Sequence, residues 1–262
     1  LLTIVAILLA TWTLINWTPV QNGLVGYATK KLSKSLKTEI KVGSVDFSLF
    51  NKFIIGDVLI RDKSRDTILA AGKLTLRITD WFFLKEDVTL HYIGLENGFV
   101  RLSRMDSTWN YQFIADALSS PKKSQTQSTL KLSLEKLEIN DFRFLKSDGW
   151  RGEDMQLDLK SIVLYAKDIN LQKKIIDIKE INIDKPAFSI TQYQGRRPKN
   201  LIPKTDLTAK WNPDNWQFLV GNINIKKGKF SSDIKTKRAV YGYFDTEHLL
   251  FKNLDGSFKN IR

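Results

Sequence analysis

The stretch Val88–Ser103, VTLHYIGLENGFVRLS, alternates apolar and polar residues, breaks step once, and then resumes. Its pattern returns at Leu132–Ser147 (LSLEKLEINDFRFLKS), at Ile176–Thr191 (IDIKEINIDKPAFSIT) and at Phe218–Asp233 (FLVGNINIKKGKFSSD). Leu95, Ile139, Ile183 and Ile225 correspond, and five residues later so do Val100, Phe144, Phe188 and Phe230. The last four are separated by 44, 44 and 42 residues. A period of about 20–50 residues marks a repeat architecture, in which neighbouring units bury what one unit cannot.

Within a unit the apolar pairs are offset by three: Leu132 and Leu134, then Leu137 and Ile139, then Phe142 and Phe144. A strict period of two would send successive pairs to opposite faces. A β-bulge would absorb one residue and keep every pair on one face. Tight turns at Asn97-Gly98, Asn140-Asp141, Lys185-Pro186 and Lys227-Gly228 are the alternative; of these Asn-Gly is a strong hairpin signal and the lysine pairs are weak ones. Bulges in long curved strands need no such mixture of turn chemistries, and they are the reading adopted. Turns then fall at Arg104–Thr108, Ser147–Gly152 and the Pro-containing loop Tyr193–Leu207, giving about two long strands per step. The expected product is a long, twisted, antiparallel sheet, apolar on one face. A second sheet, closure into a barrel, or something that is not protein must cover that face, and the pattern leaves all three open.

Upstream of the repeat, Glu39–Ile78 reads as short strands broken at Asn51-Lys52, Gly56-Asp57, Asp62–Asp66 and Ala71-Gly72. Phe113–Leu118 makes a short helix, and the polar Ser119–Thr129 is a loop. Residues Leu1 to Trp17 carry no charge, and the first charged side chain is Lys30. Seventeen helical residues rise about 26 Å against a hydrocarbon core of about 30 Å. Trp12 and Trp17 sit near the trailing end, where indoles favour the membrane interface, and no small-residue cleavage pattern follows. Residues 1–18 are therefore expected to be an uncleaved transmembrane anchor that includes Leu1, Trp12 and Trp17. Residues 19–37 are expected to be an amphipathic juxtamembrane helix, with Leu24, Tyr27, Ala28, Leu32 and Leu36 on its apolar side. Residues 38–262 form the β domain, read as the start of a longer array.

Composition narrows the chemistry. There is no cysteine among the 262 residues, which excludes disulfides, zinc knuckles and thiol catalysis. With two histidines, His91 and His248, a histidine-rich metal site is not expected; both read as surface strand residues. No phosphate-binding glycine loop, H-E-x-x-H or G-x-S-x-G occurs, and Asp57, Asp62 and Asp66 read as turn and cap residues. An enzyme is not expected, nor a cofactor. The net charge of +13 favours anionic partners. The aromatics sit mainly at alternating apolar positions, which speaks against a nucleic-acid surface.

From Trp17 to Leu118 the chain resembles the N-terminal region of the TamB/AsmA-like envelope proteins. The resemblance is carried in order by Thr18-Pro-Val-Gln21 after the apolar segment, the basic helix, TEIKVGSVDF (38–47), DVLIRD (57–62), DTILAAGKL (66–74), IGLENGFVRL (93–102) and WNYQF (109–113). It implies a single-pass inner-membrane protein of a diderm bacterium, with a periplasmic β-structure shaped as an open, taco-like hydrophobic groove that carries phospholipid between inner and outer membranes. It also implies support of outer-membrane protein assembly through an Omp85-type β-barrel, reached by the family's C-terminal region, which these residues do not include. A scaffolding protein that recruits such a barrel without carrying lipid is the alternative. The groove reading assigns lipid contact to Leu90, Ile93, Leu95, Val100, Leu134, Leu137, Ile139, Phe144, Ile178, Ile181, Ile183, Phe188, Ile223, Ile225 and Phe230. Arg101, Lys146 and Lys227 are expected to screen headgroup phosphates at the rim.

Overall fold

The computed structural model describes residues 18–48, 51–78, 88–119, 130–170, 173–198, 201, 212 and 214–261. Helix α1 (Thr18–Leu36) opens them. Four strands follow: β1 (Ile40–Lys41), β2 (Ser44–Ser48), β3 (Lys52–Arg61) and β4 (Thr67–Ile78). Then come β5 (Val88–Arg104), helix α2 (Gln112–Ser119), β6 (Leu130–Asp148) and β7 (Glu153–Asn170). The last four strands are β8 (Ile175–Asp184), β9 (Ala187–Gln192), β10 (Gln217–Ile234) and β11 (His248–Ile261). All eleven strands join one sheet in the order β1-β3-β4-β5-β6-β7-β8-β10-β11, with β2 on β3 and with β9 continuing the line of β8 between β7 and β10. Among the described residues there is no second sheet, and no ladder joins β1 to β11. Neither a sandwich nor a closed barrel is formed by them.

The antiparallel expectation is corrected. The sheet is mixed: β5 and β6 run parallel, and β10 runs parallel to both β8 and β9. The expectation of two strands per step holds only between β6 and β8, where the hairpin through Gly149–Gly152 adds β7. In the first step the chain leaves the end of β5 and returns to the start of β6 through residues 105–129, which include α2. In the third, residues 193–216 do the same from β9 to β10. A parallel pair needs a crossover of about a dozen residues or more, and both of these connections are long enough. Arg104–Thr108 is thus the start of a crossover, not a hairpin.

The bulge reading holds in its effect and differs in its form. Asp57, Asn97, Asp141, Lys185 and Lys227 all have left-handed backbone, with φ between 49° and 53°. Register places them side by side across the sheet, flanked by pairs such as Glu96↔Asn140 and Gly98↔Phe142. Because each unit carries the same left-handed residue in step, β5 and β6 stay in register through it. Asn and Asp tolerate this conformation better than most residues. The expected breaks at Gly56-Asp57 and Ala71-Gly72 are corrected for the same reason: β3 and β4 run straight through them. The break at Asp62–Asp66 is a true turn, where the buried Asp62 carboxylate accepts the N–H groups of Ser64 and Asp66 at 2.9 and 2.8 Å.

Helix α1 sits at the β1–β2 corner, where Ser33 Oγ donates to the Ile40 carbonyl and accepts the Ile40 N–H at 3.2 and 3.1 Å. On its outer side Tyr27 and Leu32 stay exposed. No described helix is long and apolar enough to cross a membrane. The predicted anchor, with Leu1, Trp12 and Trp17, lies outside the described residues apart from Thr18, as does most of the polar loop predicted at Ser119–Thr129.

The far end of β5 and β6 is clamped by charge. Arg104 donates from Nε and a terminal nitrogen to the two oxygens of Asp148, both at 2.7 Å, and its guanidinium lies 4.4 Å from the Trp109 ring centre. Asp148 is fully buried. Burial opposes its charge, but the Arg104 hydrogen bonds and the Arg151 N–H outweigh that and hold its carboxyl below the usual range. Asp154, at the start of β7, accepts the Tyr193 hydroxyl at 2.9 Å and ties the second crossover to the β6–β7 hairpin. Burial and that acceptor push the Tyr193 phenol up to about 12.

Candidate functional site

Directly opposed residues in a ladder share a face, so the registers define rows across the sheet. One row runs Ile55–Leu74–Leu95–Ile139–Ile162–Ile183–Ile225–Gly256. A second runs Phe53–Leu76–Ile93–Leu137–Leu164–Ile181–Ile223–Phe258. Beyond the left-handed residues, a third runs Ile60–Leu69–Val100–Phe144–Leu157–Phe188–Phe230–Phe251. Between the first and third lies a shorter row, Val58–Ala71–Gly98–Phe142–Leu159. None of these positions is charged.

All these rows lie on one side. A Cβ built on Gly98 would stand 2.7 Å from Phe142 Cδ2 and 2.9 Å from Leu95 Cδ2, so the two sides of the left-handed step face the same way. On β10, a Cβ on Gly228 would meet Ile225 Cγ2 at 3.3 Å. Along the third row the rings follow one another, Phe188 to Phe230 at 6.2 Å and Phe230 to Phe251 at 6.3 Å between centroids. Seven strand intervals and about seven residues give a face of about 34 Å by 20 Å, on the order of 700 Å². That exceeds the roughly 300–600 Å² of the largest apolar patch on a typical monomer.

Nothing among the described residues covers this face. The apolar side chains that count as buried are Ile68, Ala71, Leu134, Leu159 and Ile178, too few for the core of a sandwich. Most row members are half-buried by their own neighbours, and at the β11 edge Phe251, Leu254 and Phe258 are exposed.

The opposite face is polar and internally paired. Lys73 bonds Glu96 at 2.7 Å, Lys136 meets Glu138 at 2.8 Å, and Lys160 meets Asp141 at 2.6 Å. Arg143 pairs with Asp158, and Asn224 donates to Asn182 at 2.9 Å. Lys136 also lies 5.9 and 5.6 Å from the Tyr92 and Tyr165 ring centres. The hydrogen bond from Lys136 pulls the Glu138 carboxyl below its usual pKa, and the same bond raises Lys136.

Twelve of the fifteen predicted contact residues fall on the three long rows: Ile93, Leu137, Ile181 and Ile223; Leu95, Ile139, Ile183 and Ile225; Val100, Phe144, Phe188 and Phe230. Leu134 and Ile178 lie off the three long rows and are buried. Leu90 stands at the edge of the rows, opposite Ile78 and Leu132. Unpredicted members of the three long rows come from β3, β4, β7 and β11, which lie outside the repeat pattern; in β7 the signal was present as Leu157-x-Leu159 followed by Ile162-x-Leu164. The predicted phosphate-screening residues sit on three different strands. Lys146 is engaged by Glu153 at 2.6 Å, Lys227 lies within β10 with its N–H on Asp255, and Arg101 lies within β5.

His91 contacts Glu135 at 3.0 Å, and His248 contacts Asp245 at 2.9 Å. No group of three His, Asp or Glu among the described residues is arranged to hold a metal ion. No family model matches the sequence, and a search of curated proteins finds none similar to it.

Proposed function

We propose that the chain carries phospholipid, its apolar face taking the acyl chains while the headgroups stay in water. The observation that supports this most is the continuity of the three long rows across eight strands without a charged side chain. Moving a 16-carbon acyl chain through water costs about 0.8 kcal/mol per methylene, roughly 13 kcal/mol in all. A track that replaces lipid contacts along its length lowers that barrier without a catalytic group. Its length of about 34 Å is comparable to the roughly 30 Å hydrocarbon core of a whole bilayer.

The setting follows from the resemblance of Trp17–Leu118 to the TamB/AsmA-like proteins: an inner-membrane anchor, a periplasmic groove, and transfer between inner and outer membranes. Net charge of +13 suits a surface that works beside phosphate headgroups. The test uses neighbours that face opposite ways. The full chain, purified in mild detergent, is expected to bring phospholipid with it. Ile181→Asp and Ile183→Asp are expected to remain folded and lose that lipid, whereas Asn182→Asp keeps it. Retention of lipid by both Ile variants, or their unfolding as if a closed core had been breached, would overturn the reading.

A further inference from the structure

The connection between β10 and β11, residues 235–247, reads KTKRAVYGYFDTE and presents its apolar side chains to water. Tyr241, Tyr243 and Phe244 are 89%, 83% and 76% exposed, and Val240 is 53% exposed. The loop is nevertheless a closed clip. Ile234 N–H bonds the Glu247 carbonyl at 3.0 Å and Lys237 N–H bonds the Ile234 carbonyl at 2.9 Å. Asp245 accepts from the N–H groups of Val240, Glu247 and His248 at 2.9, 2.9 and 3.2 Å, and its Oδ2 meets His248 Nδ1 at 2.9 Å. The Val240 N–H, then that of Glu247 and the imidazole, hold this carboxyl down to about 2. At the apex Gly242 has φ +81°, with nothing within 4 Å of where a Cβ would stand.

The charges are sorted in the same direction. Asp245 is turned inward, its side chain 12% exposed, and Glu247 faces Lys237 at 3.5 Å. Lys235 and Arg238 are exposed and form no ion pair with a described residue. A fixed apex therefore holds two tyrosines and a phenylalanine outward above a basic base. We propose that this loop docks on an anionic lipid bilayer, its aromatic rings entering the headgroup layer and Lys235, Lys237 and Arg238 facing the phosphates. Tyrosine suits that depth because its ring is apolar and its hydroxyl stays hydrated. The apex offers exposed rings with open space around Gly242, and a fluid interface can take up such rings without a shape match. The inference is independent of lipid carriage: docking requires only the loop, and carriage requires only the apolar face.

The absence of cysteine makes the test clean. The full chain is reconstituted into nanodiscs of phosphatidylcholine, with or without phosphatidylglycerol, carrying an environment-sensitive fluorophore on Tyr241→Cys, or on Tyr243→Cys as a second site. A probe on the exposed strand position Lys179→Cys serves as control. The loop probes are expected to shift to the blue in phosphatidylglycerol discs and to be quenched by nitroxide-labelled lipid, while the control is unchanged. Each cation contributes about fivefold to binding an anionic surface, so replacing Lys235, Lys237 and Arg238 with Gln should weaken docking about 100-fold and abolish the shift. Loop probes that stay open to an aqueous quencher in anionic discs would overturn the proposal. So would protection in detergent that grows with protein concentration, which would make a second copy the occupant.

Discussion

Ile183 and Asn182 are neighbours in one strand and live in opposite surroundings. Ile183 belongs to an apolar row crossing eight strands, while Asn182 accepts a hydrogen bond from Asn224 on the other side. The contrast extends over the sheet. One face satisfies itself, cation against carboxylate and amide against amide, and needs no partner to be stable in water. The other has no means of satisfying itself, because half-buried aliphatic and aromatic rows gain only from something laid over them. An open sheet thus separates the stabilising polar contacts from the surface available for function.

That separation can be broken at its strongest polar point, the Arg104–Asp148 pair at the end of β5 and β6. Removing one partner of a buried ion pair strands the other charge and costs about 3–5 kcal/mol. Asp148→Ala is expected to lower stability by that amount in denaturant titration, the largest effect of any charged position. Because the folded-state pKa of Asp148 is lowered, its stabilisation is complete above the unfolded value of about 3.9 and is lost as pH falls through the lower folded value. Asp148→Asn should remove that part of the acid dependence. A middling effect is expected on the apolar face itself. Gly98→Val places a Cβ against Phe142 and Leu95 and should cost about 1–3 kcal/mol while roughening the track, seen as lower lipid content and an earlier unfolding midpoint. The smallest effect belongs to the polar face. Lys136→Gln removes a part-exposed pair with Glu138 and should cost at most about 1 kcal/mol, with lipid content unchanged.

Much of this two-sidedness was legible in the residues. Steps of 44, 44 and 42 residues placed Leu95, Ile139, Ile183 and Ile225 in one row, because strands that run parallel in register repeat the same face. The three-residue offset at Asn97 and Asp141 was legible as a device that keeps one face, since strict alternation would have split the pattern. Strand direction was not legible. Long connections after Arg104 and Gln192 were available as signs of parallel crossovers, but alternation within a strand is blind to the direction of its neighbour. Gly56-Asp57 and Ala71-Gly72 were misread as breaks because turn residues inside a strand look like turns when seen singly; only their alignment with Asn97 shows what they do. Leu134 and Ile178 share the repeat of the row residues but lie where the registers shift, off the three long rows, a difference that periodicity does not encode. The aromatic loop between β10 and β11 falls outside the repeat, so no pattern pointed to it.

The difference between the faces is tested most directly by photocrosslinking in the membranes of living cells, with a photoreactive phenylalanine analogue at single positions of the full chain. Phe144 and Phe188 lie on the apolar row, and Arg143 lies beside Phe144 on the paired polar face. Phospholipid adducts are expected from Phe144 and Phe188 and none from Arg143. Adducts absent from both row positions, or equally abundant from Arg143, would contradict a lipid track on this face.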